Sequence, residues 1–183
     1  GLGDVYKRQA GGSITTGQHN NFFGEGAGQH TTTGHKNIAF GNCALQVATA
    51  ASCNIAIGTA SMRANTSGAL NTAVGTCTLM ANTTGHCNTA VGYKSLLSNT
   101  CGAANTAIGI ETLQANTTGT ENTAIGVNAG YNITTGSYNS AFGSSCLSAC
   151  TTGAQNVALG RAADQITTTG SFHVMLGSLA KPS

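Results

Sequence analysis

One segment of this chain keeps returning at a fixed distance, and that distance decides what the chain can fold into. The string NTAVG at residues 71–75 reappears, with Ile for Val in two cases, at 88–92, 105–109 and 122–126, each step being 17 residues. The same register extends upstream to 54–58 and 37–41 and downstream to 139–143 and 156–160, and it fades at 20–24 and 173–177. No insertion or deletion interrupts it. With the Asn as position 1, position 5 is Gly and position 13 is Thr in all ten copies, and position 15 is Gly except at Ala51. A fixed short period is the signature of a stacked repeat architecture. Seventeen residues are too few for two packed helices of ordinary length, whereas Thr, Ile and Val favour strands and two regular Gly mark two turns. Each repeat is therefore expected to be one coil of two short strands and two bends. A lone coil cannot bury its apolar face, so its core and backbone hydrogen bonds must come from its neighbours. The chain reads as all-β, a parallel β-solenoid of about ten coils, roughly 48 Å long at the usual strand spacing.

Period-two alternation assigns the faces. Position 4 is always large and apolar, in Phe23, Phe40, Ile57, Val74, Val91, Ile108, Ile125, Phe142, Leu159 and Leu176. Position 9 is mostly Leu or Met, in Leu45, Met62, Leu79, Leu96, Leu113 and Leu147. These two columns are the expected core, and each buried aliphatic contributes about 1.5–3 kcal/mol. Position 3, pointing the other way, is Ala in Ala73, Ala90, Ala107, Ala124 and Ala141, as it is in three further copies, at Ala39, Ala56 and Ala158. A column of small side chains suits the close approach of another backbone, so this face is the expected subunit interface. Asn at positions 1 and 12 is expected to form stacked amide ladders at the bends. Three of the position-12 residues, Asn65, Asn82 and Asn116, also sit in N-x-[ST] sequons, as does Asn132, but the repeat itself generates these strings.

Composition removes several alternatives. Charged residues are 7% of the chain against 40% hydrophobic, with a net charge of +2, which is not the profile of a disordered segment. Seven Lys and Arg are scattered along the chain, so no basic stripe for a nucleic acid exists. No apolar run approaches the length of a transmembrane helix. Residues 1–9 (GLGDVYKRQ) carry none of the repeat and resemble a translated adapter read at the end of a gene fragment. The expected organisation is a non-native or disordered leader at 1–9, one solenoid domain at 10–180, and a truncated tail at 181–183.

The NTA[IV]G unit, repeated in register with a second Gly, resembles the head repeats of YadA-like trimeric autotransporter adhesins and the NTA[IV]G arrays of phage tail-fibre-type proteins. The resemblance covers residues 17 to 177. It implies a left-handed β-roll, three chains side by side as a homotrimer, and an extracellular place on a cell or virion surface, with a host-surface, matrix or glycan ligand as partner. The period departs from the roughly 14 residues of the adhesin heads, so one bend must be larger here.

Candidate chemistry is sparse. Cys43 and Cys77 share position 7, and Cys53 and Cys87 share position 17, but each pair is two coils apart, roughly 9.6 Å, beyond bridging range. Cys146 and Cys150 are the pair with a chance of meeting across a bend. The five His fall mostly in different columns, the five acids are isolated, and no nucleophile has a base at a suggestive spacing. The expectation is no enzyme, no cofactor and no metal site. The favoured function is a structural or adhesive module that binds through repetitive Thr and Asn faces. The alternative is an ice-binding solenoid using the Thr of position 13. A hexapeptide-type acyltransferase is disfavoured, because a third aliphatic corner is missing.

Overall fold

The computed structural model describes residues 10–180. The expected leader at 1–9 and tail at 181–183 lie outside the described residues. Ten three-residue strands line up in chain order in a single sheet: β1 Asn21–Phe23, β2 Ile38–Phe40, β3 Ile55–Ile57, β4 Thr72–Val74, β5 Thr89–Val91, β6 Thr106–Ile108, β7 Thr123–Ile125, β8 Ser140–Phe142, β9 Val157–Leu159 and β10 Val174–Leu176. Every pairing is parallel and in repeat register, so that Ala73 stands opposite Ala90 and Ala90 opposite Ala107. The molecule is a parallel β-solenoid. Thr, Ile and Val flank the Ala in most strands and favour the extended backbone, and the Gly at position 5 ends the strand.

Among the described residues, the second strand expected in each coil does not form. Positions 6–12 instead run as a string of turns in which alternate residues take a left-handed backbone. In the coil after β4, Cys77 (φ 56°) and Leu79 (φ 50°) do so; in the next, Lys94 (φ 54°) and Leu96 (φ 50°). Position 17 does likewise, at Cys53, Leu70, Cys87 and Ala104. Each such residue costs about 1–2 kcal/mol. What offsets the cost is visible in the ladder. The Cys77 N–H donates to Thr59 O of the preceding coil at 2.9 Å, while the Leu79 N–H donates to Ser95 O of the following coil at 3.0 Å. Alternating the backbone hand sends successive N–H groups up and down the stack, so a turn-rich wall is hydrogen-bonded between coils nearly as a sheet would be.

The position-9 column lies in the core as expected: Leu79, Leu96 and Leu113 have no exposed surface. The position-4 column does not. Phe40 is 54% exposed, Leu159 52%, and Ile57, Ile108 and Ile125 39% each, while Val74, Val91 and Phe142 are half-buried. The Ala column takes the place assigned to them. Ala73, Ala90, Ala107, Ala124 and Ala141 are all at most 1% exposed, so they line the interior of the chain itself and are not an intersubunit surface. Alternation shows that positions 3 and 4 face opposite ways, but not which of them faces inward. Thickness decides it. The hydroxyl of Ser61 donates to Ala73 O at 3.2 Å, and that of Ser95 to Ala107 O at 3.0 Å. With the turn wall and the sheet within hydrogen-bond reach, the gap admits one Leu from the turn wall and only a methyl from the sheet. The close backbone approach that Ala permits is real, but the approaching backbone belongs to the same chain.

Both Asn ladders form. Along position 1, the Asn105 carboxamide nitrogen donates to Asn88 Oδ1 at 3.1 Å and to Gly119 O at 2.9 Å, and the same Asn88 oxygen accepts the Asn105 N–H at 3.0 Å. Along position 12, Asn82, Asn99 and Asn116 each donate to the Oδ1 of the preceding Asn. These Asn residues are buried and keep ordinary negative φ, so their role is hydrogen bonding and not tolerance of a left-handed turn. Where the repeat departs from consensus, the changes compensate. The β7 coil has Gly130 at position 9 and Ile133 at position 12, and Ile133 is fully buried. A Cβ on Gly130 would meet Ile133 Cδ1 at 3.0 Å, so Ile133 fills the space that Leu occupies elsewhere.

Candidate functional site

The outer face of the sheet is the most distinctive surface. It presents position 2 and position 4 of every strand, and position 6 extends it with exposed Tyr93, Ile110 and Val127. Position 4 gives one apolar ridge from Phe23 to Leu176, with the Phe23 and Phe40 rings stacked at 4.8 Å between centroids. Position 2 gives a parallel ridge, polar in the middle at Thr72, Thr89, Thr106 and Thr123 and apolar at Ile38, Ile55, Val157 and Val174. Position 6 was not singled out in the sequence, because its identity changes from coil to coil. The ridge footprint, three residues wide along ten coils, is on the order of 480 Å² before side-chain relief. The apolar share of that face is the position-4 ridge with its position-6 extension, and exposed apolar patches of a few hundred Å² are often functional.

The Thr column at position 13 is a different kind of feature. Its hydroxyls are committed to the stack: Thr66 donates to Thr83 O at 3.1 Å, Thr83 to Thr100 O at 3.0 Å, and Thr100 to Thr117 O at 3.1 Å. An array whose donors are spent on backbone carbonyls is poorly placed to order a ligand. The Thr of position 2 differ. Among the described residues, their hydroxyls find no partner within the chain.

The cysteines are all free thiols. Cys146 and Cys150 are buried and unbridged; the Cys146 thiol donates to Gly143 O at 2.9 Å, and burial pushes it up to about 11. Burial likewise raises Cys150 above the ordinary thiol range. Both are poor nucleophiles as a result. Cys53, Cys87 and Cys101 are exposed. The Lys94 ammonium lies 5.0 Å from the centre of the Tyr93 ring, and its hydrogen bond with Tyr93 raises it above the usual lysine range. His35 Nδ1 accepts the Gln18 N–H at 3.0 Å. Among the described residues, no group of three or more His, Cys, Asp or Glu gathers as a metal site, and no helix is long and apolar enough to cross a membrane. Of the sequons, Asn65, Asn82 and Asn116 are sealed in the ladder, while Asn132 is exposed.

No family model, curated protein or solved structure matches this chain. The faces of the rod must therefore carry the functional reading on their own geometry.

Proposed function

We propose that the chain is a structural segment of an adhesive surface fibre, joined side by side to further copies of itself, as a homotrimer, through the outer sheet face. The observation that carries this reading is the exposed position-4 ridge. Its side chains recur at one coil spacing, so the surface that matches it best has the same spacing, and another copy in parallel provides that. Three such ridges can converge on an axis parallel to the rods, which buries them without demanding a concave partner. The resemblance to adhesin heads and tail-fibre arrays supports the same assembly and an extracellular setting. The interface is thereby moved from the position-3 Ala to position 4.

Light scattering on the chain should give three times the monomer mass. The double variant Ile108→Lys, Ile125→Lys should fall to monomer while keeping its strand signature in circular dichroism, because both side chains are already at the surface. A monomeric wild-type protein would remove the assembly.

One observation favours a second reading, ice binding. The position-2 Thr and position-4 Ile or Val form a flat mixed array with free hydroxyls, opposite one another in register from β4 to β7. This moves the ice-binding surface away from position 13. Thermal hysteresis that disappears in Thr89→Lys, Thr106→Lys would favour it over the fibre, and a freezing point equal to the melting point would dismiss it.

A further inference from the structure

The turn wall changes character along the rod. In the β4 and β5 coils, positions 7 and 10 are Cys77 with Met80 and Lys94 with Leu97. Across the β6, β7 and β8 coils they become Glu111, Asn128 and Ser145 at position 7, with Tyr131 and Ser148 at position 10. Together with Asn132 these line an open groove of about 330 Å³, at the small end of ligand sites. The stacking register does not require this set, because neighbouring coils fold without it.

We propose that this groove binds a neutral saccharide, an inference that rests on the adhesive reading and gives it a ligand class. The groove lining is polar, with Asn128, Asn132, Ser145 and Ser148 all carrying hydrogen-bonding side chains. Among the described residues, Asn128 Oδ1 finds no donor. An acceptor left unpaired is costly, so a ligand O–H that Asn128 Oδ1 reaches by turning toward the groove supplies a bond that the chain does not. Asn132 is held by its own bond, its carboxamide nitrogen donating to Ser148 O at 2.7 Å, which fixes the amide plane. The half-buried Tyr131 ring supplies the one apolar plate, suited to the C–H face of a sugar ring. The Glu111 carboxylate is the only formal charge in the lining, and Lys94, one coil earlier in the same column, offsets it, so the groove has no net positive charge to draw acidic sugars.

The test is retention of the chain on an array of neutral and sialylated oligosaccharides, followed by calorimetric titration of the best-retained glycan. Tyr131→Ala and Asn128→Ala are the variants. Ala already occupies position 7 in a left-handed turn at Ala60 (φ 56°), so the second should fold. Retention should be confined to neutral glycans, and each variant should weaken it at least tenfold with little change in melting temperature. Absence of retention, preference for sialylated glycans, or retention that both variants leave intact would overturn the site. Beads coated with the chain and offered to cells separate this from the broader reading. Adhesion without neutral-glycan retention refutes the groove alone, whereas glycan retention without adhesion refutes the adhesive role alone.

Discussion

Gly109→Ala should lower the stability of the stack by about 3–5 kcal/mol, read as the shift in the urea midpoint. Two effects combine. Gly109 sits at φ +137°, outside the left-handed well that other residues here tolerate at φ near 50–60°. An added Cβ would also lie 2.5 Å from Gly126 O and 2.7 Å from Thr112 Oγ1. The carbonyl belongs to the next coil and cannot swing aside without breaking the ladder. The last coil provides the control. Gly177 has φ +113°, but a Cβ there would meet nothing within 4 Å. Gly177→Ala should therefore show the strain without the collision, about 1–3 kcal/mol, and the difference between the two variants measures how closely the coils stack. Equal losses at both sites would mean that the coils stand further apart than described. Because coils contact only their neighbours, the Gly109 variant should also unfold less cooperatively, as two half-rods.

That position-5 Gly was legible as a turn in the sequence, since it never varies within the chain. So were the parallel stacking, the Asn ladders and the Leu column at position 9. What could not be read was the direction of the sheet. Apolar size pointed Phe40 and Ile108 inward and Ala107 outward. The opposite holds, because the space between the walls is fixed by Ser95 reaching Ala107 O, a contact between residues 12 apart that no alternation pattern encodes. The turn wall was hidden for another reason. Left-handed residues are usually Gly or Asn, yet here Leu96, Lys94 and Ala104 adopt that hand. Inter-coil hydrogen bonds decide their backbone, and local preference is overridden. The polar groove escaped notice because its members, Glu111, Asn128 and Tyr131, are unremarkable singly and meet only when coils are superposed.

Asn88→Asp should make stability depend on pH where the wild-type ladder has nothing to titrate. The Asn88 carboxamide nitrogen donates to Asn71 Oδ1 at 3.1 Å and to Gly102 O at 2.9 Å. Both partners are acceptors, so a carboxylate oxygen placed there faces two other oxygens in a site with no exposed surface. Only the protonated acid can donate, and it restores one of the two bonds. The folded state therefore holds the proton to higher pH than the unfolded chain, whose Asp releases it near pH 3.9. A group with a raised folded pKa contributes least penalty below the unfolded value and progressively more as pH rises through the folded one. The gap between wild type and variant should be about 1–2 kcal/mol at pH 3.5 and widen to about 3–5 kcal/mol at pH 7. Asn88→Ala should instead lose about 2–4 kcal/mol at both pH values, since it leaves the Asn105 N–H without an acceptor but adds no charge. Groups shared by the proteins, the histidines included, cancel in these differences. The slope therefore reports which way the amide points. A gap that narrows toward neutral pH would mean that the atom facing Gly102 O is not a donor, and the ladder would have to be rebuilt with its polarity reversed.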